Sequence, residues 1–229
     1  MNTRYCNFSD DVIRLAILLY VRYPLSLRQV EELLAERGIE VSYETIRRWW
    51  GKFGPVLAKE IKAKRAKNGA VSNWRWHIDE VFVRVNGEIR YLWRALDHEG
   101  EVIDAVVTKR RDGRTAKKLL RKLIKRQGCP EEIVTDGLRA YGAAFRNLDF
   151  KHLHMTGQWK NNRVENSHQP FRRQERSMQK FRRASSLQRF VSIHSQVHNH
   201  FNVQRHLVSS HEYRVRRDRA MMEWQASRA

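Results

Sequence analysis

Residues 74–96 read WRWHIDEVFVRVNGEIRYLWRAL, and no other stretch restricts the fold as much. Two runs rich in aromatic and β-branched residues flank Asn86-Gly87, a dipeptide that accepts the left-handed backbone of a two-residue hairpin turn. This commits the chain to an antiparallel strand pair. HEG at 98–100 turns it again, and EVIDAVVT (101–108) reads as a third strand. The first strand is apolar on both faces apart from a few charges. It should therefore be central, with both faces covered.

The covering helices can be read downstream. In GRTAKKLLRKLIKRQG (113–128), Ala116, Leu119, Leu120, Leu123 and Ile124 form one stripe, and Gly128 stops the helix. EEIVTD (131–136) is a short buried strand, 138–147 a helix, and LDFKHLH (148–154) another strand. NNRVENSHQPFRRQ (161–174) reads as a helix that Pro170 kinks or restarts. A further helix begins at Ser185 or Ser186, and the Ser209–Glu212 spelling precedes a last basic helix.

Three strands, helix, strand, helix, strand, then helices is the order of a ribonuclease H-like domain. The predicted class is α/β, with a mixed five-stranded sheet flanked by helices. A right-handed crossover brings 131–136 beside the first strand and parallel to it. Asp79 then lies mid-strand, and Asp136 at the C-terminal end of the neighbouring strand, where open α/β sheets place ligands. Two readings of Asp136 stand: it holds a metal with Asp79, or it starts the next helix. Two adjacent carboxylates stay ionised only with a cation between them.

A third acidic ligand is sought at Glu165. Asn161, Glu165, His168 and Arg172 share one helical face; a solvated face is the alternative. Glu80 is expected on the opposite sheet face from Asp79. Asp97 falls at a bend, Asp112 at a helix cap, and Asp104 on an exposed edge strand.

Lys and Arg number 45 against 25 Asp and Glu, a net charge of +20. Such an excess resists compaction unless a polyanion offsets it, which points to nucleic acid. Two cysteines exclude a disulfide framework. The apolar run LAILLYV (15–21) is too short to span a bilayer, and no signal peptide is recognisable. A soluble chain in a reducing compartment is expected, without a membrane partner.

The first 54 residues read as helices. Ser9 caps the first, which Pro24 ends; Ser26 begins the second, which Gly38 stops; Ser42 caps the third, anchored by Ile46, Trp49 and Trp50. A turn and then a helix bearing Tyr43, Thr45, Arg47 and Arg48 suits a helix-turn-helix whose last helix enters the major groove. A plain three-helix bundle is the alternative. KEIKAKRAKNGA (59–70), with Lys64, Arg65 and Lys67, reads as a linker able to lie along phosphates, or as a solvated helix end. The expected division is a helix-turn-helix domain at 1–58, a basic linker at 59–72, a ribonuclease H-like domain at 73–184 and C-terminal helices at 185–229.

WHIDEVFVRVNGEIRYLWRALDHEG, TDGLRAYGAA, NNRVENSHQPFRRQ and FNVQRHL together resemble the insertion-sequence DDE transposases of the IS-six family, from bacteria and archaea. The resemblance implies a cytoplasmic DNA transposase. It further implies Asp79, Asp136 and Glu165 as catalytic residues and ligands of Mg²⁺, with Mn²⁺ able to replace it. Double-stranded DNA, as terminal inverted repeats and target, would be the partner, and a homodimer or higher synaptic assembly would join two ends. Replicative transposition through a cointegrate is also implied, as are roles for His168 and Arg172 beside phosphate. The 28 residues between Asp136 and Glu165 are fewer than usual in the family, and the shortening is expected around 146–158. Trp159 is the tryptophan expected to meet DNA. His194 and His198 are spaced i, i+4, but no second ligand pair accompanies them, so no zinc is expected. The competing reading is a helix-turn-helix repressor with a non-catalytic dimerisation domain. A nuclease of the same fold acting on branched DNA is a third.

Overall fold

The computed structural model describes residues 8–68, 74–156, 162–178, 180–203 and 207–227, with backbone alone at 65–68, 162, 163 and 165. They fall into two compact units: Met1–Gly69, Arg173–Gln179 and Gln196–Ala229 form one, and Ala70–Arg172 with Lys180–Ser195 the other. The C-terminal helices are thus shared between the units instead of standing as a separate block after 184.

The second unit holds the sheet. Its strands are β1 (Arg75–Val85), β2 (Glu88–Leu96), β3 (Val102–Thr108), β4 (Glu132–Thr135) and β5 (His154–Thr156), in the order β3-β2-β1-β4-β5. β1–β2 and β2–β3 are antiparallel, while β1–β4 and β4–β5 are parallel. This is the mixed sheet of a ribonuclease H-like fold. Asn86 and Gly87 take φ of 50° and 82° at the hairpin, the left-handed pair that the turn requires. β5 is shorter and later than the strand expected over 148–154. Asp149 adopts φ 59°, and Lys151–Leu153 wind into a 3-10 turn before pairing begins at His154. Only there does the backbone run level with β4.

Alternation along β1 and β2 divides the side chains between two faces. Trp76 and Ile78, with Trp93 and Ala95, pack on α4 (Gly113–Gln127) and α5 (Arg139–Asn147), forming one core with Leu120, Leu123, Tyr141 and Phe145. Asp112 caps α4, its Oδ1 accepting from the Thr115 N–H at 2.8 Å. On the other face Arg94 of β2 donates to the Ser167 carbonyl in α6 (Asn162–Ser177), and Phe171 of α6 lies beside Phe190 of α7 (Ala184–Phe201). Pro170 falls inside a continuous α6. The Gln188 side chain of α7 pairs with Val107 N–H and Ala105 carbonyl, covering the free edge of β3. Asp104 on that strand is not free in solvent: Lys122 of α4 lies 2.5 Å away.

The first unit begins with α1 (Asp10–Arg22), α2 (Leu27–Ala35) and α3 (Tyr43–Asn68). Ser9 and Ser26 cap the first two, Ser26 within a reciprocal capping box with Gln29. α3 does not end near 58. It runs on through the basic segment expected to be a linker, because the buried stripe Ile46, Trp50, Phe53, Leu57, Ile61 keeps helical spacing across Pro55. The stripe outweighs the punctuation of GKFGP. Lys64 accordingly sits in a helix, 3.0 Å from Glu60 and 3.3 Å from Ser227 Oγ. α8 (Ser210–Gln225) is capped by Ser209 and buries Trp224.

Leu120 is fully buried between α4 and the sheet. Leu120→Ala should cost about 2–5 kcal/mol, read as a lower urea midpoint at unchanged slope.

Candidate active site

β4 ends at Thr135, paired with Ile78 of β1. Beyond that pair β1 has no strand neighbour on that side until Val85 bridges Phe181, and Asp136 leaves β4 level with Asp79 and Glu80. Carboxylate oxygens of Asp79, Glu80 and Asp136 all lie within 4.8 Å of one another. Asp79 and Glu80 do point to opposite faces, as alternation requires. Glu80 nevertheless joins the cluster, because no strand separates the two faces where β4 has stopped.

Each acid is held differently. Asp79, 9% exposed, meets His168 Nε2 through Oδ2 at 3.1 Å. Burial pushes the His168 imidazole down, Asp79 pulls it back up, and the Arg94 and Arg172 charges push it down further. The ring is therefore neutral at pH 7. An ionised Asp79 can only accept, so the compatible tautomer donates from Nε2. Its Nδ1 is buried without a hydrogen-bond partner among the described residues. With 5% exposure, His168 faces Asp79 and not an open surface where DNA would lie.

Asp136 answers both readings of the sequence. Oδ1 accepts from the Leu138 N–H at 3.1 Å, shaping the turn into α5, while Oδ2 lies 3.5 Å from Arg111 Nη2. Burial raises its pKa, the Leu138 N–H lowers it, Asp79 raises it and Arg111 lowers it, leaving it above the ordinary value. Glu80 is more enclosed, bonded to the Tyr141 hydroxyl at 2.6 Å and to Arg111 Nε. Burial raises Glu80 more than these donors lower it. Burial and the neighbouring acids also raise Tyr141, keeping its hydroxyl protonated and donating.

Glu165 lies in α6, one turn before His168; its side chain is outside the described residues, as are those of Arg65 and Lys67, and Trp159 altogether. Arg172 Nη2 donates to the Phe82 carbonyl at 2.6 Å, with the guanidinium 5.4 Å from the Phe82 ring centre. In the first unit, Arg47 and Arg48 are exposed on α3 while Ile46, Trp49 and Trp50 are buried. Arg47 pairs with Glu44 at 3.1 Å and lies 5.7 Å from the Tyr43 ring centre; Thr45 Oγ1 is 3.0 Å from Ser42 Oγ.

Sequence reasoning passed over Arg94, Arg111 and Tyr141. Arg94 is opposite Asp79 on β2 and 2% exposed, with Nε and Nη2 bonding no described residue and its pKa pushed down to about 10 by burial. Its position among Leu92 and Leu96 was the available signal: a charge on the inward face of an apolar strand. Arg111 and Tyr141 carried none, since only the folded chain brings them to Glu80.

Hard carboxylate oxygens crowded in this way, with two pKa values raised, suit a divalent cation that prefers oxygen ligands. Glu80 has a close donor on each oxygen, Tyr141 on Oε2 and Arg111 on Oε1. The raised values of Glu80 and Asp136 contribute stability below the ordinary carboxylate range, near about 4, and lose it as pH rises through the folded values. Metal-free protein should therefore lose thermal stability across that window, and Mg²⁺ should restore it above the window but not below. Melting temperatures with and without Mg²⁺ from pH 3.5 to pH 7.5 check this, with Asp136→Asn expected to shrink the Mg²⁺ increment.

A family model described as a DDE domain matches residues 73–204. The transposase for insertion sequence-like element IS431mec of Staphylococcus aureus is 35% identical over 170 residues, covering 72% of this chain and 74% of that protein. The transposase for insertion sequence element IS257 in transposon Tn4003, also from S. aureus, matches with the same identity and coverage. Among solved structures, the HTLV-2 integrase catalytic core domain in complex with magnesium is similar at TM-score 0.37 and 19% identity, over 44% of this chain and 67% of that one. The DDE match takes in β1, the end of β4 where Asp136 follows, and the helix that carries His168, and the chain belongs to the IS-six family of insertion-sequence DDE transposases, which are polynucleotidyl transferases.

Proposed function

We propose that this transposase binds the terminal inverted repeats of its element and catalyses Mg²⁺-dependent cleavage and strand transfer at Asp79, Asp136 and Glu165. The observation that supports the reading is the meeting of Asp79 and Asp136 where β4 stops, with a carboxyl crowding that favours a cation. Asp79 and Asp136 are the ligands, and Glu165, one turn from the His168 that grips Asp79, is the third by family resemblance. Divalent cations held by these three carboxylates would supply charge neutralisation for an in-line phosphoryl displacement.

The chain's own residues supply the rest. His168 fixes the Asp79 carboxylate by a buried hydrogen bond, holding Oδ2 in one orientation. Arg94 ties α6 to β2 through the Ser167 carbonyl, so helix and strand keep one register beside the acids. Arg172, anchored to the Phe82 carbonyl, carries a positive charge near the route of a phosphate backbone. Residues 1–58 act as the sequence reader, with Tyr43, Thr45, Arg47 and Arg48 entering the major groove and Lys64, Arg65 and Lys67 following phosphates. Joining two ends calls for at least a homodimer. The replicative route through a cointegrate follows from the family resemblance, as does a bacterial or archaeal cytoplasm. No helix among the described residues is long and apolar enough to cross a membrane.

Asp136→Asn and Glu165→Gln should each retain binding to a duplex carrying the element's end and lose Mg²⁺-dependent joining. Joining by either purified variant at a substantial fraction of the wild-type rate counts against the assignment. Arg47→Ala and Arg48→Ala should each weaken that binding by about 1–3 kcal/mol at about 150 mM salt, where exposed charges are screened. Fluorescence anisotropy reads the change, and unchanged affinity removes α3 as the reading helix. A repressor with a non-catalytic second unit would bind the duplex and never join it.

A further inference from the structure

Arg111 stands between β3 and α4, immediately before the cap residue Asp112. That cap is doubly tied, to the Thr115 N–H and Thr115 Oγ1 at 2.8 Å each, so the backbone carrying Arg111 is pinned. Its Nε donates to Glu80 Oε1, and its Nη2 lies 3.5 Å from Asp136 Oδ2. The Glu80 side chain is 1% exposed, whereas that of Arg111 is 39% exposed. A carboxylate so enclosed is costly unless its lone pairs are taken, and those of Glu80 are taken by Tyr141 and Arg111. The guanidinium is therefore held through Nε, lies beside the acid cluster through Nη2, and is part-exposed, with Nη1 bonding no described residue.

We propose that Arg111 is a further catalytic residue, contacting the phosphate that is cleaved and transferred, and that Glu80 is the positioning residue that orients it. This rests on the transposase reading of Asp79 and Asp136. A phosphate that approaches those carboxylates comes within reach of the part-exposed Arg111, whose Nη2 lies 3.5 Å from Asp136. A planar guanidinium can take two non-bridging oxygens at once, where the transition state gathers charge. Arg111 exchanges no proton and forms no bond. In the displacement a P–O bond forms to the attacking oxygen as the P–O bond to the leaving oxygen breaks; the attacking hydroxyl's proton passes to solvent, and the leaving oxygen takes one up. Glu80 is kept out of metal binding by the same two donors that let it hold Arg111.

The test uses the full chain, a duplex carrying the element's end, and Mn²⁺ as a paramagnetic probe. Arg111→Ala should slow single-turnover joining by about 10²–10³-fold, with duplex affinity and Mn²⁺ binding unchanged, and Arg111→Lys should recover part of the rate. Glu80→Gln should slow joining in the wild-type background but not further in Arg111→Ala, since the two act through one contact. Arg111→Gln, closer in size, serves if Arg111→Ala does not fold. The proposal fails if Arg111→Ala or Arg111→Gln joins at the wild-type rate, or if the loss only tracks lost Mn²⁺ binding. It fails for Glu80 if Glu80→Gln is equally harmful in both backgrounds. Asp136→Asn separates the two levels: inactive Asp136→Asn beside active Arg111→Ala overturns this inference alone, whereas an active Asp136→Asn overturns the underlying reading as well.

Discussion

Parallel strands cannot be joined by a hairpin, so β4 reaches β1 only through the long crossover that contains α4. That pairing runs from Arg75↔Glu132 to Ile78↔Thr135 and then stops. Had β4 continued, its backbone would have separated Asp79 from Glu80 and turned Asp136 into an ordinary ladder residue. Because it stops, three acids from two strands share one space, and the chain must manage their mutual repulsion. Everything unusual nearby is a response to that crowding: a neutral buried His168 on Asp79, a Tyr141–Arg111 pair on Glu80, and a turn amide on Asp136.

The two faces of the sheet divide this labour. The face toward α4 and α5 is an apolar core with one buried acid, Glu80, satisfied by a residue from each side of the crossover helix. The face toward α6 carries the polar set, Asp79, Arg94 and His168, tied to the helix by the Ser167 carbonyl. Arg94 is a costly element, a guanidinium 2% exposed with two nitrogens that bond no described residue. Its field pushes His168 toward the neutral form, the form that donates to Asp79 without adding a second cation to the site.

Local chemistry carried much of this in readable form. The Asn86-Gly87 hairpin, the Ser9, Ser26, Asp112 and Ser209 caps, and the α4 stripe are short-range features whose energies depend on a few neighbouring residues. They stand where the sequence places them. α3 is the counterexample. Gly51, Gly54 and Pro55 are poor helix formers and the expected domain boundary fell at 58, but the buried stripe through Leu57 and Ile61 carries the helix on. With Trp50 and Phe53, these side chains bury enough apolar surface to offset what two glycines and a proline cost a helix.

By itself, the sequence determined the element order, the charge that calls for a polyanion, and the pairing of Asp79 with Asp136, because strand period, turn chemistry and the handedness of crossovers are local or topological rules. Only the tertiary structure decided that Glu80 joins the acids, that His168 turns inward to Asp79, and that Arg111 and Tyr141 converge on Glu80. Those contacts link positions 31 to 89 residues apart in the chain. They depend on where β4 ends and how deeply each side chain is buried, quantities fixed by packing and carried by no spacing in the sequence.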